Sequence, residues 1–313
     1  MFEAVAQAIR DHDTIIIHRH NRPDGDALGS QVGLKHLILD NFPGKQVWAV
    51  GDESNYLDFL SQGQLDTVED ETYQGALAII LDSGAKSLIS DDRYSLAKTT
   101  VRLDHHIFVE KIADIEVIDT SFESCCGMVT QLALEQGLTL SPISARALYT
   151  GMVTDSGRFR YDCTTDRTFT LASALMKQNF DTNDLYRRLY ADDISVKKLK
   201  AQFILKIQFT ANRVAWIYTT REEVGELSAD IFTISRGMVN TMADLRGTDI
   251  WVNFTETDRG VLCEIRSNDK NINPIAVAYG GGGHKKASGA TVADRETAMA
   301  MLRDLDKLAG ENQ

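Results

Sequence analysis

The sequence predicts an α/β protein of 313 residues: an N-terminal, mostly parallel sheet with flanking helices, a linker helix, and a smaller C-terminal α/β domain. Three observations predict it. Short apolar, β-branched runs alternate with stretches of helical period, the pattern of β-α units. Several runs end on acidic or imidazole side chains, and in open α/β sheets ligands gather beyond the carboxyl ends of strands. The length exceeds that of a usual single domain, so the chain is divided into residues 1–190, a linker over 191–210, and 211–313.

Taken in order, Phe2 to about Arg10 reads as an amphipathic helix and Thr14–Ile17 as a buried strand. A polar loop follows, carrying His20, Asp24 and Asp26, with Pro23 and Gly25 holding it in a turn. A helical pattern begins after Gly29 and Ser30. Gln46–Val50, Gly75–Leu81, Val101–Leu103 and Val117–Ile118 are further strand candidates, and Cys126–Gln136 and Ile143–Thr154 are helical. In the second half, Asp193–Gln208 reads as the linker helix, Val214–Thr219 as a strand and Arg236–Leu245 as helical. Ile250–Thr255 and Gly260–Arg266 read as paired strands, and Asp294 caps a last amphipathic helix.

A net charge of −12 argues against a broad face for long duplex nucleic acid, which is gripped through its phosphates by basic surfaces. It leaves room for a small phosphate-bearing substrate in a local cationic pocket. No run approaches the ~20 apolar residues of a membrane span, and the N-terminus carries early acids instead of an apolar signal core. Four cysteines, two of them adjacent at Cys125–Cys126, form neither a disulfide framework nor a paired zinc pattern. A cytoplasmic location is expected.

One regularity points to chemistry. Four apolar runs end on candidate ligands: His20 with Asp24 and Asp26, then Asp82, then Asp104-His105-His106, then Asp155. One Asp after a strand is an ordinary turn or cap residue; four such positions on one sheet edge would converge and repel unless a cation neutralised them. Carboxylates with imidazole and no cysteine favour Mn²⁺ or Mg²⁺ over structural zinc. The ligand count fits two ions sharing a bridging carboxylate, as in phosphatases and nucleases.

These residues resemble the motifs of the DHH phosphoesterases: His20-x-x-x-Asp24-x-Asp26, Asp82 after a strand, Asp104-His105-His106 and Thr154-Asp155-Ser156-Gly157, in that family's order. The resemblance implies that His20 and Asp24 bind one Mn²⁺ and that Asp26, His105 and Asp155 bind the other, with Asp82 bridging them. Mg²⁺ or Co²⁺ would be alternatives. It further implies that His106 stands just outside the ligands or touches the scissile phosphate, and that Asp104 orients the neighbouring imidazoles. Gly280-Gly281-Gly282-Gly283-His284 and Arg266 resemble the substrate signature of the DHH-associated C-terminal domain, the loop aiming N–H groups at an anion and Arg266 holding a phosphate. On the residues alone, the glycine run reads equally as a flexible loop and Arg266 as an edge-strand residue paired with an acid. Arg158 is a candidate phosphate clamp that could equally pair with a local acid. Cys125 and Cys126 read as buried small residues.

The layout resembles the stand-alone nano-RNase and pAp phosphatase group and the phosphodiesterases that take pApA from cyclic di-AMP turnover. It implies an enzyme that hydrolyses short RNA, a dinucleotide, pAp or pApA by attack of a hydroxide shared by the two ions, with the substrate lying between the domains. A homodimer is left open. Alternatives are a manganese-dependent inorganic pyrophosphatase, a RecJ-like single-strand exonuclease and a non-catalytic nucleotide-binding module.

Overall fold

A computed structural model describes residues 1–54, 57–61 and 65–311. The chain divides into two compact units, Met1–Ala191 and Asp192–Gln313.

The first unit runs α1 (Glu3–Asp11), β1 (Thr14–His18), α2 (Gly25–Asn41), β2 (Gln46–Ala49), α3 (Asp58–Ser61), β3 (Leu77–Leu81), β4 (Thr99–Asp104), β5 (Ile115–Ile118), α4 (Cys125–Glu135), α5 (Pro142–Asp155), α6 (Asp166–Met176) and α7 (Thr182–Tyr190). Its sheet has the order β2-β1-β3-β4-β5 and every pairing is parallel. Such strands are buried on both faces, which is why TIII and LAIIL carry no polar alternation. Ile15, Ile17 and Ile79 pack into the main core with α2, α4 and α5, while Ile16 packs on the opposite side with Val50 and Tyr73. Each such aliphatic side chain contributes about 1.5–3 kcal/mol on burial. The α/β expectation holds; α6 and α7 are helices that the sequence reading left unassigned.

The packing of α2 on α5 sets up the rest. Gly25, Gly29 and Gly33 lie along one side of α2. A methyl group on Gly29 would come within 2.6 Å of the Ala147 carbonyl oxygen, and one on Gly33 within 2.5 Å of Leu148 Cγ. A methyl on Gly25 would overlap the Thr154 side chain. The two helices therefore run antiparallel at close range, and the start of α2 meets the end of α5.

Here the structure corrects the loop expected around Asp26. α2 already begins at Gly25, with Asp24 as its N-cap: Asp24 Oδ1 accepts from the Asp26 N–H at 3.0 Å and the Ala27 N–H at 3.1 Å. Asp26 is thus a first-turn helix residue, and Gly25 is required by the approach to Thr154 rather than by a turn.

The second unit runs α8 (Ile194–Leu205), β6 (Gln208–Phe209), β7 (Ala215–Thr219), α9 (Arg221–Glu226), β8 (Ile250–Thr257), β9 (Gly260–Ser267), α10 (Asn273–Ala278), β10 (Gly282–Gly283), β11 (Ala287–Val292) and α11 (Arg295–Gly310). Its sheet has the order β10-β11-β9-β8-β7-β6, with β7 and β8 parallel and the remaining pairs antiparallel. Along β9, Val261, Cys263 and Ile265 point into the core beneath α11, leaving Leu262, Glu264 and Arg266 on the other face. Asp294 caps α11 through the Thr297 N–H at 2.8 Å, as its position predicts. The expected helix at Arg236–Leu245 resolves into a π turn, Thr233–Gly237, and a 3₁₀ turn, Val239–Met242. No helix among the described residues is long and apolar enough to cross a membrane.

Candidate metal centre

Strands β1, β3 and β4 are adjacent and parallel, so their carboxyl ends share one edge. That edge delivers His20, Asp82 and Asp104-His105-His106. The fourth contribution comes from a helix, as the pattern over Ile143–Thr154 predicts: Asp155 is the last residue of α5, brought in by the α2–α5 contact together with Asp26.

Asp82 is the common neighbour. Its carboxylate is 3.5 Å from His20 Nε2 through Oδ2 and 3.5 Å from both His105 Nε2 and His106 Nδ1 through Oδ1. His20 Nε2 is also 3.8 Å from Asp24 Oδ1. His105 Nε2 lies 3.6 Å from Asp26 Oδ2 and 3.4 Å from Asp155 Oδ2. The donors fall into three overlapping groups: His20, Asp24 and Asp82; Asp26, His105 and Asp155; and Asp82, His105 and His106.

These separations are long for hydrogen bonds. They match donors that share an ion: at metal distances of ~2.1 Å, neighbouring ligands stand ~3.0 Å apart at a right angle and ~3.5 Å at a tetrahedral one. Asp82 Oδ1 is buried without a hydrogen-bond partner, an expensive state for a carboxylate. The residues present therefore fit a divalent cation on each side of Asp82.

The titration of the site carries the same strain. Burial opposes charge on His20, yet hydrogen bonds to Asp24 and Asp82 raise its imidazole to about 11. Burial likewise opposes charge on His105, and Asp82, Asp26 and Asp155 raise it to about 10. Burial, then the charge of Asp82, pushes Asp26 up to about 7. Asp155 is held well above the usual carboxylate range by burial and by Asp26. Without cations, protons do the work of neutralisation.

Supporting groups fix the donors. The Nδ1 of His20 meets the Asn21 carbonyl oxygen at 2.7 Å, which turns Nε2 toward the carboxylates. Arg19, fully buried, donates to the His20 carbonyl at 3.1 Å and to Gln31 Oε1 at 2.9 Å, and it pairs with Asp52. Asp52 also accepts the Arg22 N–H at 2.8 Å, holding that residue at a left-handed φ of 50°. Asp26 lies on the N-terminus of α4, its two oxygens accepting the Cys125 and Cys126 N–H groups at 2.7 and 2.8 Å. Asp104 accepts the Nδ1 of His106 at 2.8 Å and is anchored by fully buried Arg102 at 2.5 Å. It orients His106; no hydrogen bond from the His105 ring to Asp104 is found among the described residues.

Arg102, Arg19 and the Cys125–Cys126 backbone were missed by sequence reasoning. A signal existed for Arg102, a charged residue inside the apolar strand VRLD and on the same face as Asp104. None existed for the cysteines: their thiols are buried and pushed to high pKa by desolvation, and the groups that matter are their N–H bonds.

In the second unit the candidates are locally accounted for. Arg266 sits on β9, which pairs on both sides, so its strand is central and not an edge. Its guanidinium lies 3.2 Å from Glu264 Oε2 and donates to the Ile265 carbonyl at 2.9 Å. Within the glycine run, Gly282 and Gly283 form β10 against β11. A methyl on Gly281 would overlap the Gly289 carbonyl, and one on Gly283 would approach the Ala287 carbonyl oxygen at 2.6 Å. Gly280 and Gly282 have nothing within 4 Å of that position, and Gly280 is instead held to glycine by its left-handed φ of 78°. The exposed His284 closes the turn, its N–H bonded to the Ala287 carbonyl at 2.8 Å. In the first unit Arg158 is exposed and stacks over the Tyr190 ring at 5.0 Å.

Comparison with known proteins follows the same division. Residues 14–152 match the DHH family N-terminal domain, and residues 232–311 match the DHHA1 domain. The chain is 34% identical over 305 residues to the bifunctional oligoribonuclease and PAP phosphatase NrnA of Bacillus subtilis, covering 96% of each chain. It is 32% identical over 305 residues to the protein of the same name from Mycoplasma genitalium, covering 96% of this chain and 95% of that one. Among solved structures, an exopolyphosphatase-related protein from Bacteroides fragilis superposes with a TM-score of 0.87 at 24% identity, over 99% of this chain and 97% of that one.

Proposed function

From the premise that this chain belongs to the DHH family and carries a DHHA1 domain, we propose that it is a metal-dependent phosphoesterase acting on short oligoribonucleotides, pApA and 3′-phosphoadenosine 5′-phosphate. The observation that carries this reading is Asp82, a buried carboxylate with an unpartnered oxygen standing between two donor groups. Full-length relatives named as oligoribonuclease and PAP phosphatase support the substrate class.

In this reading His20 and Asp24 would hold one cation, Asp26, His105 and Asp155 would hold the other, and Asp82 would serve both. Mn²⁺ is the first choice for such a carboxylate-imidazole set. Two bound cations supply Lewis acidity toward a phosphoryl oxygen and acidify a coordinated water. The chain's own residues do the rest. Asp26, pinned by two N–H groups of α4, keeps its position as the substrate enters. Asp104 favours the protonated form of His106, whose half-exposed ring then offers a donor to a phosphoryl oxygen. The Asp82 carboxylate balances charge on both sides, so neither cation neutralises its neighbours alone.

In the second unit, Arg266, His284 and the glycine run form the proposed phosphate contacts, except that the Gly281 N–H is already given to the Ala276 carbonyl at 2.8 Å. Releasing Arg266 from Glu264 is part of that binding. The −12 net charge agrees with recognition of a short substrate through a few local cations.

The test is the purified protein with Mn²⁺ against pAp, pApA, cyclic di-AMP, pyrophosphate and labelled oligoribonucleotides from dimer to decamer. Mononucleotide release, fastest on the shortest substrates, is expected. Hydrolysis of pyrophosphate alone would replace this reading with a pyrophosphatase; tight binding of pApA without turnover would replace it with a binding module.

A further inference from the structure

Immediately beyond Asp155 the chain takes an unusual course. Gly157, Arg158 and Phe159 have φ of 58°, 65° and 62°, so two non-glycine residues in succession are left-handed. Such a conformation is costly and persists only where its surroundings insist on it. Here the surroundings are buried Ser156 and the end of α5. The Arg158 N–H reaches the Val153 carbonyl at 2.7 Å, the Phe159 N–H reaches Ser156 Oγ at 2.9 Å, and the Tyr161 N–H reaches the Ser156 carbonyl at 3.1 Å.

That course presents one cation and two aromatic rings together. The Tyr161 ring fills the place that a side chain on Gly157 would occupy, and it remains 56% exposed. The Arg158 guanidinium lies over the ring of Tyr190, which is 41% exposed. Tyr190 stacks on Tyr186 with centroids 6.0 Å apart and planes 23° apart. Tyr186 rests in turn on buried Tyr149, edge to face at 6.5 Å. Among the described residues Arg158 has no carboxylate partner, although the protein is strongly acidic.

We propose that Arg158, Tyr161 and Tyr190 form a stacking platform for a nucleobase of a single-stranded ribonucleotide, the base lying next to the phosphate at Asp155. The inference rests on the phosphoesterase reading and adds to it the part of the substrate that this face takes. Aromatic faces flanked by arginine bind bases of any sequence, because every base has a π face and the cation adds attraction to both ring and backbone. The platform is anchored, since Tyr149 and Tyr186 support Tyr190 from below. It is also close to the reaction: Arg158 follows Asp155 by three residues, at most ~11 Å along the backbone. A stacked base there fixes the nucleotide whose phosphate is cleaved, and it extends the grip on oligomers beyond the phosphate contacts.

The experiment measures binding of a 5′-labelled adenosine pentanucleotide by fluorescence anisotropy in EDTA, which preserves the probe and leaves every metal ligand in place in the parent. Tyr190→Leu and Tyr161→Leu should each weaken binding about tenfold, Arg158→Gln by a similar factor, and Tyr190→Phe by less than about twofold. Leucine variants that bind like the parent, beside a weakened Arg158→Gln, would reduce Arg158 to a phosphate contact and overturn the platform. Equal loss in Tyr190→Phe, or no binding by the parent itself, would overturn it too. Hydrolysis by the unmutated protein is followed separately. Absence of any nucleotide turnover there counts against the phosphoesterase reading and leaves the binding comparison intact.

Discussion

The edge of the first sheet and the glycine-rich corner of the second are both candidate binding regions, yet their physical states are opposite. At the first, carboxylates and imidazoles are gathered from the ends of β1, β3, β4 and α5 and the start of α2, and the buried Asp82 Oδ1 has no hydrogen-bond partner. At the second, Arg266 already has Glu264, and Gly281 and Gly283 are explained by the backbone pressing against them. An unresolved electrostatic problem is one that a divalent cation would relieve. A satisfied corner announces nothing, and its role rests on motif and relatives.

The largest effect should follow removal of the charge that the two donor groups share. Asp82→Asn keeps the shape of the side chain, and it should lower kcat/KM for pAp and pApA by about 10³-fold or more, since groups that act as a unit fail together. The stabilisation by Mn²⁺ in thermal melts should fall with it. Retained Mn²⁺-dependent turnover would refute Asp82 as a shared ligand and make the first region resemble the second.

In the second region the expected loss is smaller and selective. Arg266→Ala removes charge-assisted hydrogen bonds to a terminal phosphate, about 1.5–3 kcal/mol or ~10–100-fold on pApA. Bis-nitrophenyl phosphate, which lacks that phosphate, should be hydrolysed nearly as before. Equal losses on both substrates would take Arg266 out of substrate-end recognition and leave it as Glu264's structural partner.

The two regions also differ in how much of them the sequence disclosed. The strands of the first sheet were legible because both faces are buried, so TIII and LAIIL had no competing reading. His20, Asp82, Asp104 and Asp155 were legible because polar groups end apolar runs. The start of α2 was not, since Pro23 and Gly25 look like a turn until the N-cap of Asp24 and the contact with Thr154 are known. The anchoring of Asp26 by α4 was illegible for a deeper reason: it uses main-chain N–H groups, which every residue has. Arg266 was placed on an edge because sheet order between non-adjacent strands is not written in local pattern; β11 returns to cover it.

A third effect tests the charge problem directly. In the ion-free protein His20 and His105 are held near 11 and 10, above the ordinary imidazole value of ~6.5. Their contribution to stability is complete below ~6.5 and is lost as pH rises toward those values. Asp26, raised to about 7, weakens the ion-free fold further as it ionises. Cations must displace these protons, so affinity should rise by roughly tenfold per pH unit for each proton released. The Mn²⁺-induced rise in Tm should therefore be larger at pH 8 than at pH 6.5. An equal rise would mean that the cation does not bind among these imidazoles.

The smallest effect separates the glycines of the two regions. Gly25→Ala forces a methyl group into Thr154 where α2 meets α5, an overpacking that costs about 1–3 kcal/mol. It should lower Tm by several degrees and displace Asp26 and Asp155 relative to each other, so Mn²⁺ binding weakens as well. Gly282→Ala meets nothing within 4 Å, and its φ is not in the left-handed region. Its Tm should stay within about 1 °C of the parent. If Gly282→Ala nonetheless raises KM for pApA, the space above that backbone belongs to the substrate, and the glycine run owes Gly282 to binding, Gly281 and Gly283 to β10–β11 packing and Gly280 to its left-handed backbone. If Tm falls and KM does not change, the corner is structural throughout.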